Sequence, residues 1–239
     1  MMGLVAAKHT VPSTSESVDD YLKAILELGG TEEHRVTSNA LAERLGVRAA
    51  SVTGMLQKLA AQRPALVSYE RHRGVRLTTP GKRRAWELVR HHRLLELFLH
   101  DVLKYSWDEV HEEAERLEHF ISERFEDRVA AILGDPEVDP HGHIIPPKHD
   151  FGSFGSSVSL NDLALNTPAA ISSVSDRDPT ALREIERAGL RLGSTVTVEQ
   201  KNANASLIAR VAGQENSIRL SQDLAKIIFV SPSLAESEI

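Results

Sequence analysis

The feature that most constrains this chain is where its basic charge sits. Between Thr37 and Arg84 there are ten Lys/Arg (Arg44, Arg48, Lys58, Arg63, Arg71, Arg73, Arg76, Lys82, Arg83, Arg84) against two acids, Glu43 and Glu70. The 239-residue chain carries −6 overall, so this segment of +8 is set in a remainder of −14. Screening limits each charge to about a Debye length of ~8 Å, so a basic module can track phosphates inside an acidic protein. A solvated surface helix is the ordinary explanation of such a run. Local structure has to decide between them.

The apolar spacing predicts a helix ending near Leu28, with Val18, Tyr21, Leu22 and Ile25 on one face. A short helix from about Ser38 to Leu45, the turn Gly46-Val47 and a third helix from about Ala49 to Ala61 follow. Leu66–Tyr69 and Val75–Thr78 read as two strands joined by the polar tip Glu70–Gly74. Two helices, a glycine turn and a basic hairpin make a winged helix-turn-helix. Its second helix fits the ~12 Å major groove of DNA while the hairpin reaches phosphates. Arg48, Ser51, Thr53, Gln57 and Lys58 are the candidates on that helix, and Arg71, Arg73 and Arg76 on the wing.

A long helix is expected from about Gly81 to Leu103, and another from Trp107 to Leu133. Between Ser106 and Asp139 lie twelve acids and three arginines. Clustered carboxylates repel unless something cationic sits among them. At ~100° per residue, Val110, Ala114, Leu117, Ile121 and Phe125 form an apolar stripe. His111, Glu115, Glu118 and His119 fall on the adjoining face, at spacings that bring side chains together. The preceding helix offers His92 and Glu96, also i, i+4, and the first helix offers Asp20. Imidazole and carboxylate converging on one flank suit a divalent cation, although such mixtures also occur on plain solvated faces. The apolar face, with Leu94, Leu97 and Phe98, reads as either a two-fold interface or intrachain core.

Several classes are excluded. With no cysteine there is no disulfide framework, Cys-based zinc site or cysteine nucleophile. HEXXH is missing, since Glu115 stands where the second histidine would be, and Arg116 stands three before His119 where a ferritin-like Glu would be. No nucleophile–base pair or phosphate-binding glycine loop points to an enzyme. Apolar runs fall far short of the ~20 residues of a membrane helix, and the first ten residues do not read as a secretory signal, so a cytoplasmic protein is expected. After Gly134 the composition turns to Pro, His, Gly and Ser as far as Ser157. Beyond it, Ser194–Glu199, Ser206–Val211, Ser217–Leu220 and Ile227–Val230 read as strands around one helix opened by Asp178-Pro179.

The combination resembles the DtxR/MntR family of metal-dependent transcriptional repressors over roughly residues 13–232. The resemblance rests on Asp20-Tyr21-Leu22, on Leu41-Ala42 through Leu45-Gly46 to Ser51-Val52-Thr53, on Leu77 to Pro80-Gly81, on His92-Arg93-Leu94-Leu95-Glu96, on His111 to Glu115, Glu118 and His119, and on Pro140 to Pro146. It implies a mainly α chain with a small β part: a flexible leader (1–14), a winged-helix DNA-binding domain (15–85), a helical metal-binding and dimerisation domain (86–147), a linker (148–157) and a C-terminal SH3-like, FeoA-like β-barrel domain (158–232). It places a primary metal position on Asp20, Glu115, Glu118 and His119, and an ancillary one on His92, Glu96 and His111 with Asp178 from the third domain. Asp178 before Pro179 is equally an ideal helix cap. Iron-responsive members hold methionine and cysteine where this chain has Asp20 and Glu115. All-oxygen donors with one imidazole suit Mn²⁺, with Fe²⁺ the alternative. Lys23 replaces the carboxylate that short manganese repressors use for a second ion, which favours two separated sites.

The expected function is a repressor of manganese or iron uptake genes. A homodimer would bind double-stranded palindromic operator DNA, with the metal tying the first helix to the acidic helix and favouring one spacing of the two reading heads. A winged-helix regulator answering to iron or to an organic ligand is the alternative.

Overall fold

The computed structural model describes residues 16–30, 34–151, 157–202 and 205–232. The expected leader, 1–14, lies outside them, as do residues 152–156 of the expected linker. The chain forms two compact units, the first ending at Leu88 and the second beginning at Val89.

In the first unit, helix α1 (Glu16–Glu27) buries Val18, Tyr21, Leu22 and Ile25, the face its spacing predicts. Helix α2 (Ser38–Leu45) starts at Thr37, whose hydroxyl accepts from the Ala40 N–H at 3.1 Å. It stops at Gly46, left-handed at φ 64°, a conformation glycine adopts without the usual Cβ clash. That turn aims helix α3 (Ala49–Ala61), which buries only Val52, Leu56 and Leu59. Strands β1 (Val67–Glu70) and β2 (Gly74–Leu77) pair antiparallel, with Tyr69 opposite Val75. Val36 bridges to Val75, and Arg35 donates to the Ser68 and Gly74 carbonyls and to Glu70 Oε1, fixing the base of the hairpin. Helix α4 (Thr79–Asp101) follows. Near its start Arg84 clamps Asp19 of α1 with two bonds of 3.0 Å. Asp19 is 1% exposed, and an ionised carboxylate that deep is tolerated only with such a partner.

In the second unit, the last turns of α4 pack with α5 (Val110–Leu117) and α6 (Glu123–Leu133). Leu95 and Leu99 meet Val110 and Ala114, while Leu94 meets Val129, Ala130 and Ile145. Leu97 and Phe98 also pack on the latter group, so all three apolar candidates of α4 serve the intrachain core. Six antiparallel strands then form one sheet in the order β3-β8-β4-β5-β6-β7: β3 (Val158–Ser159), β4 (Pro168–Val174), β5 (Thr195–Asn202), β6 (Ser206–Val211), β7 (Ile218–Ser221) and β8 (Ile228–Pro232). Helices α7 (Pro179–Arg187) and α8 (Gln222–Lys226) add Leu182, Ile185, Leu224 and Ala225 to its core. Each fully buried leucine or isoleucine of this core contributes roughly 1.5–3 kcal/mol.

The expected Trp107–Leu133 helix is two helices. Glu118 ends α5, and Ser122, with extended backbone, caps α6 by accepting from the Phe125 N–H. The break resets the helical phase. The α6 face that is buried carries Glu126, Val129 and Ala130, whereas Phe125, expected in the core stripe, is 43% exposed.

Candidate metal centre

The reading helix presents an open face. Arg48, Ser51, Gln57 and Lys58 are exposed, while Thr53 is half-buried and donates its hydroxyl to the Ala49 carbonyl of its own helix. Arg71 and Arg73 are exposed at the hairpin tip and Arg76 is half-buried on β2. Glu70 is the acid at that tip. Its carboxyl lies below the usual range, because Arg73 donates to it and Arg35 stands beside it.

The candidate ligands of the second unit converge. His92 and Glu96 lie one turn apart on α4, both buried, and His111 comes from the start of α5. Glu96 Oε1 is 3.0 Å from His92 Nε2 and 3.2 Å from His111 Nδ1. The other nitrogen of His92 faces Glu118 Oε2 at 2.5 Å. Glu118 is fully inside, at the end of α5, with Glu115 one turn earlier and His119 Nε2 3.8 Å from its Oε1. His92, Glu115 and Glu118 each offer a donor atom within 4.8 Å of the others. Asp20 is half-buried on α1 in the first unit, beside the clamped Asp19.

The fourth side chain that lies with His92, Glu96 and His111 is Asp176, where Asp178 was expected. Asp178 is exposed and caps α7, accepting from the Thr180 N–H at 2.8 Å and the Ala181 N–H at 3.3 Å. Its oxygen is committed to the orphan donors of a helix start. Asp176, two residues earlier, puts Oδ2 3.6 Å from His111 Nδ1. Sequence periodicity carries no signal for it, because it sits in the irregular connection between β4 and α7.

A second missed residue is His141. Its Nε2–H donates to the Trp107 carbonyl at 2.8 Å, so the neutral ring keeps a lone pair on Nδ1. Nδ1 points towards Glu96 Oε2 at 3.7 Å, and neither atom has a hydrogen-bond partner among the described residues, although both side chains are wholly buried. Two buried acceptors facing each other ask for a cation between them. Without a metal ion, protons answer the demand. Burial would push the Glu96 carboxyl up, but His92, His111 and His141 hold it well below its usual range. Burial likewise opposes charging His141, yet Glu96 raises its pKa to about 9. These donors, imidazole nitrogen and carboxylate oxygen without sulfur, fit a borderline-to-hard divalent ion such as Mn²⁺ or Fe²⁺.

Behind the ligands stands a buried brace. Glu126 of α6 accepts from Arg90 Nε at 2.5 Å, and its other oxygen lies 3.1 Å from His91 Nε2. His91 Nδ1 in turn lies 3.3 Å from the Glu118 carbonyl, which fixes the end of α5 where Glu118 and His119 sit.

A winged helix-turn-helix followed by a helical unit with a buried histidine–carboxylate cluster and a small β domain defines a metal-responsive DNA-binding regulator. The comparisons agree along the chain. Residues 13–75 match the iron dependent repressor N-terminal DNA binding domain, residues 78–147 its metal binding and dimerisation domain, and residues 158–232 the FeoA domain. The iron-dependent repressor IdeR of Mycobacterium leprae is 31% identical over 230 residues, covering 90% of this chain and 96% of that protein. The diphtheria toxin repressor of Corynebacterium diphtheriae is 27% identical over 227 residues, with the same coverage. Among solved structures, a manganese-dependent transcriptional repressor in complex with manganese superimposes with a TM-score of 0.81 at 34% identity, covering 90% of this chain and 99% of that one. ScaR with bound Cd²⁺ gives 0.75 at 32% identity, over 90% of this chain and 98% of that one. The chain belongs to the DtxR/MntR family of metal-dependent transcriptional repressors, whose members are DNA-binding regulators and not enzymes. Among the described residues no helix is long and apolar enough to cross a membrane.

Proposed function

We propose that the chain is a manganese-responsive repressor of manganese or iron uptake genes, acting in the cytoplasm as a homodimer on a palindromic operator. The observation that carries the choice of metal is the donor set. Asp20 and Glu115 stand where iron-responsive relatives are expected to place sulfur, and the chain has no cysteine. Iron is the second reading, favoured by the relatives named as iron-dependent repressors.

In this reading Asp20, Glu115, Glu118 and His119 hold the primary ion. His92, Glu96 and His111 hold the ancillary one, with Asp176 in the role expected of Asp178. A bound divalent cation supplies a concentrated positive charge that carboxylates from separate elements can share. Asp20 belongs to the unit that reads DNA and Glu115, Glu118 and His119 to the other, so their joint use restricts the spacings that two reading heads can sample. Arg48, Ser51, Gln57 and Lys58 then meet base edges and backbone, with Thr53 offering its methyl, while Arg71, Arg73 and Arg76 meet flanking phosphates. Phe120, Phe125 and Ile132, at 71%, 43% and 66% exposed, are among the apolar residues available to a two-fold partner.

The test is a mobility-shift titration of metal-stripped protein on the promoter of a manganese or iron transporter, comparing Mn²⁺, Fe²⁺, Co²⁺ and Zn²⁺. Operator binding that rises with Mn²⁺ at micromolar levels supports the reading. Binding indifferent to every metal overturns it in favour of an organic effector.

A further inference from the structure

Two glycines lie inside helices among the described residues, Gly54 in α3 and Gly81 in α4. Gly81 is required by the fold, because a Cβ there would stand 1.9 Å from the Leu66 carbonyl oxygen. Gly54 is not. It lies in the interior of α3, and no atom of the described residues beyond the adjacent helix backbone comes within 4 Å of where its Cβ would be. Apart from proline, glycine is the poorest residue for a helix interior, since it gives up the most conformational freedom on folding. The chain therefore keeps at this position a residue that weakens α3 and gains no packing in return.

Its place on the helix supplies the reason. At ~100° per residue, Gly54 stands opposite the buried Val52, Leu56 and Leu59. Ala50, Ser51, Gln57 and Lys58, all exposed, flank it within ~60° on either side, so Gly54 is the midpoint of the open face. The long donors lie at the ends of that face, Arg48 before the first turn and Gln57 and Lys58 beyond the middle. Bidentate reading of guanine or adenine needs a side chain of that length. At the centre, Ala50 and Ser51 are too short to reach base edges unless the helix backbone itself comes close. Glycine is the residue that permits close approach of a backbone to a ligand.

We propose that Gly54 is a specificity-determining position of the reading helix. Its missing side chain lets α3 settle onto the floor of the major groove, where Ala50 and Ser51 touch base edges. A side chain at 54 lifts the helix off those edges, while the longer Arg71 and Arg73 of the wing still reach phosphates. Base contacts carry sequence preference and phosphate contacts carry general affinity, so the loss falls on preference. The proposal rests on the reading of α3 as the helix that meets DNA and adds the residue that sets its depth.

The test uses the full chain loaded with Mn²⁺. Selection from a random duplex pool with wild-type protein supplies the operator probe. Fluorescence anisotropy then compares wild type, Gly54→Ala and Gly54→Leu on that duplex and on a scrambled one of equal length, beside urea unfolding of each. Alanine and leucine are both better helix formers than glycine, so both variants should unfold at higher urea. Gly54→Ala should lose about tenfold or more in affinity for the selected duplex and Gly54→Leu more still, with both within about twofold of wild type on the scrambled one. Wild-type affinity for the selected duplex in either variant would overturn the proposal, as would an equal loss on both duplexes. A lower urea midpoint for Gly54→Ala would also overturn it, returning Gly54 to the needs of the fold. Each of these leaves the DNA-binding reading standing, because the wild type has enriched a sequence. A wild type that enriches none would overturn both.

Discussion

Glu126 is a buried carboxylate held between Arg90 and His91. Burial would raise its carboxyl, but His91 and Arg90 hold it at about 2 against an ordinary 4.5. A depressed carboxylate stabilises the fold above its unfolded pKa and loses that contribution as pH falls through the folded one. The ion pair therefore contributes at most about 3 kcal/mol at neutral pH, fading between roughly pH 4.5 and 2. Urea unfolding of wild type and Glu126→Gln across that range should show a gap at pH 7 that closes at pH 2. A gap independent of pH would assign the loss to packing. Asp178 and Asp176 make the opposite kind of pair, two acids close in sequence with separate tasks. Asp178→Ala should lower stability by about 1 kcal/mol, the usual value of a helix cap, without changing metal stoichiometry. Asp176→Ala should lose metal at its cluster with less effect on unfolding. Calorimetric metal titration beside thermal melts distinguishes the two.

At the scale of elements, the winged helix was legible because its signals are local. Thr37 and Gly46 cap α2, the apolar spacing of α3 is regular, and the hairpin carries its glycine at the turn. His92 and Glu96 were legible for the same reason, one turn apart on a single helix. The break between α5 and α6 was hidden by an apolar pattern that continues through Ile121 and Phe125, although Ser122 is an able cap. Strand β4 was missed because Pro-Ala-Ala-Ile-Ser-Ser-Val has few β-branched residues and no polar alternation. Asp176 and the approach of His141 to Glu96 lay beyond local reading, since sheet topology delivers one and a loop the other. The wing makes its own prediction. Arg71→Ala and Arg73→Ala should weaken binding to operator and random duplex alike, each reducing the salt slope by about one. A loss confined to operator would make them base readers.

For the whole molecule, regulation is a coupling free energy between metal and DNA. Each tenfold gain in operator affinity on metal binding needs ~1.4 kcal/mol, and DNA must tighten metal by the same factor. A homodimer carries two reading heads, so a modest restriction in each protomer acts twice on operator binding. Fluorescence anisotropy of operator binding, with and without saturating Mn²⁺, for wild type and for Asp20→Ala measures this directly. Wild type should gain on the order of tenfold or more, the variant should show a gain near one, and their metal-free affinities should be equal. An Asp20→Ala protein that retains the full wild-type gain would contradict this coupling.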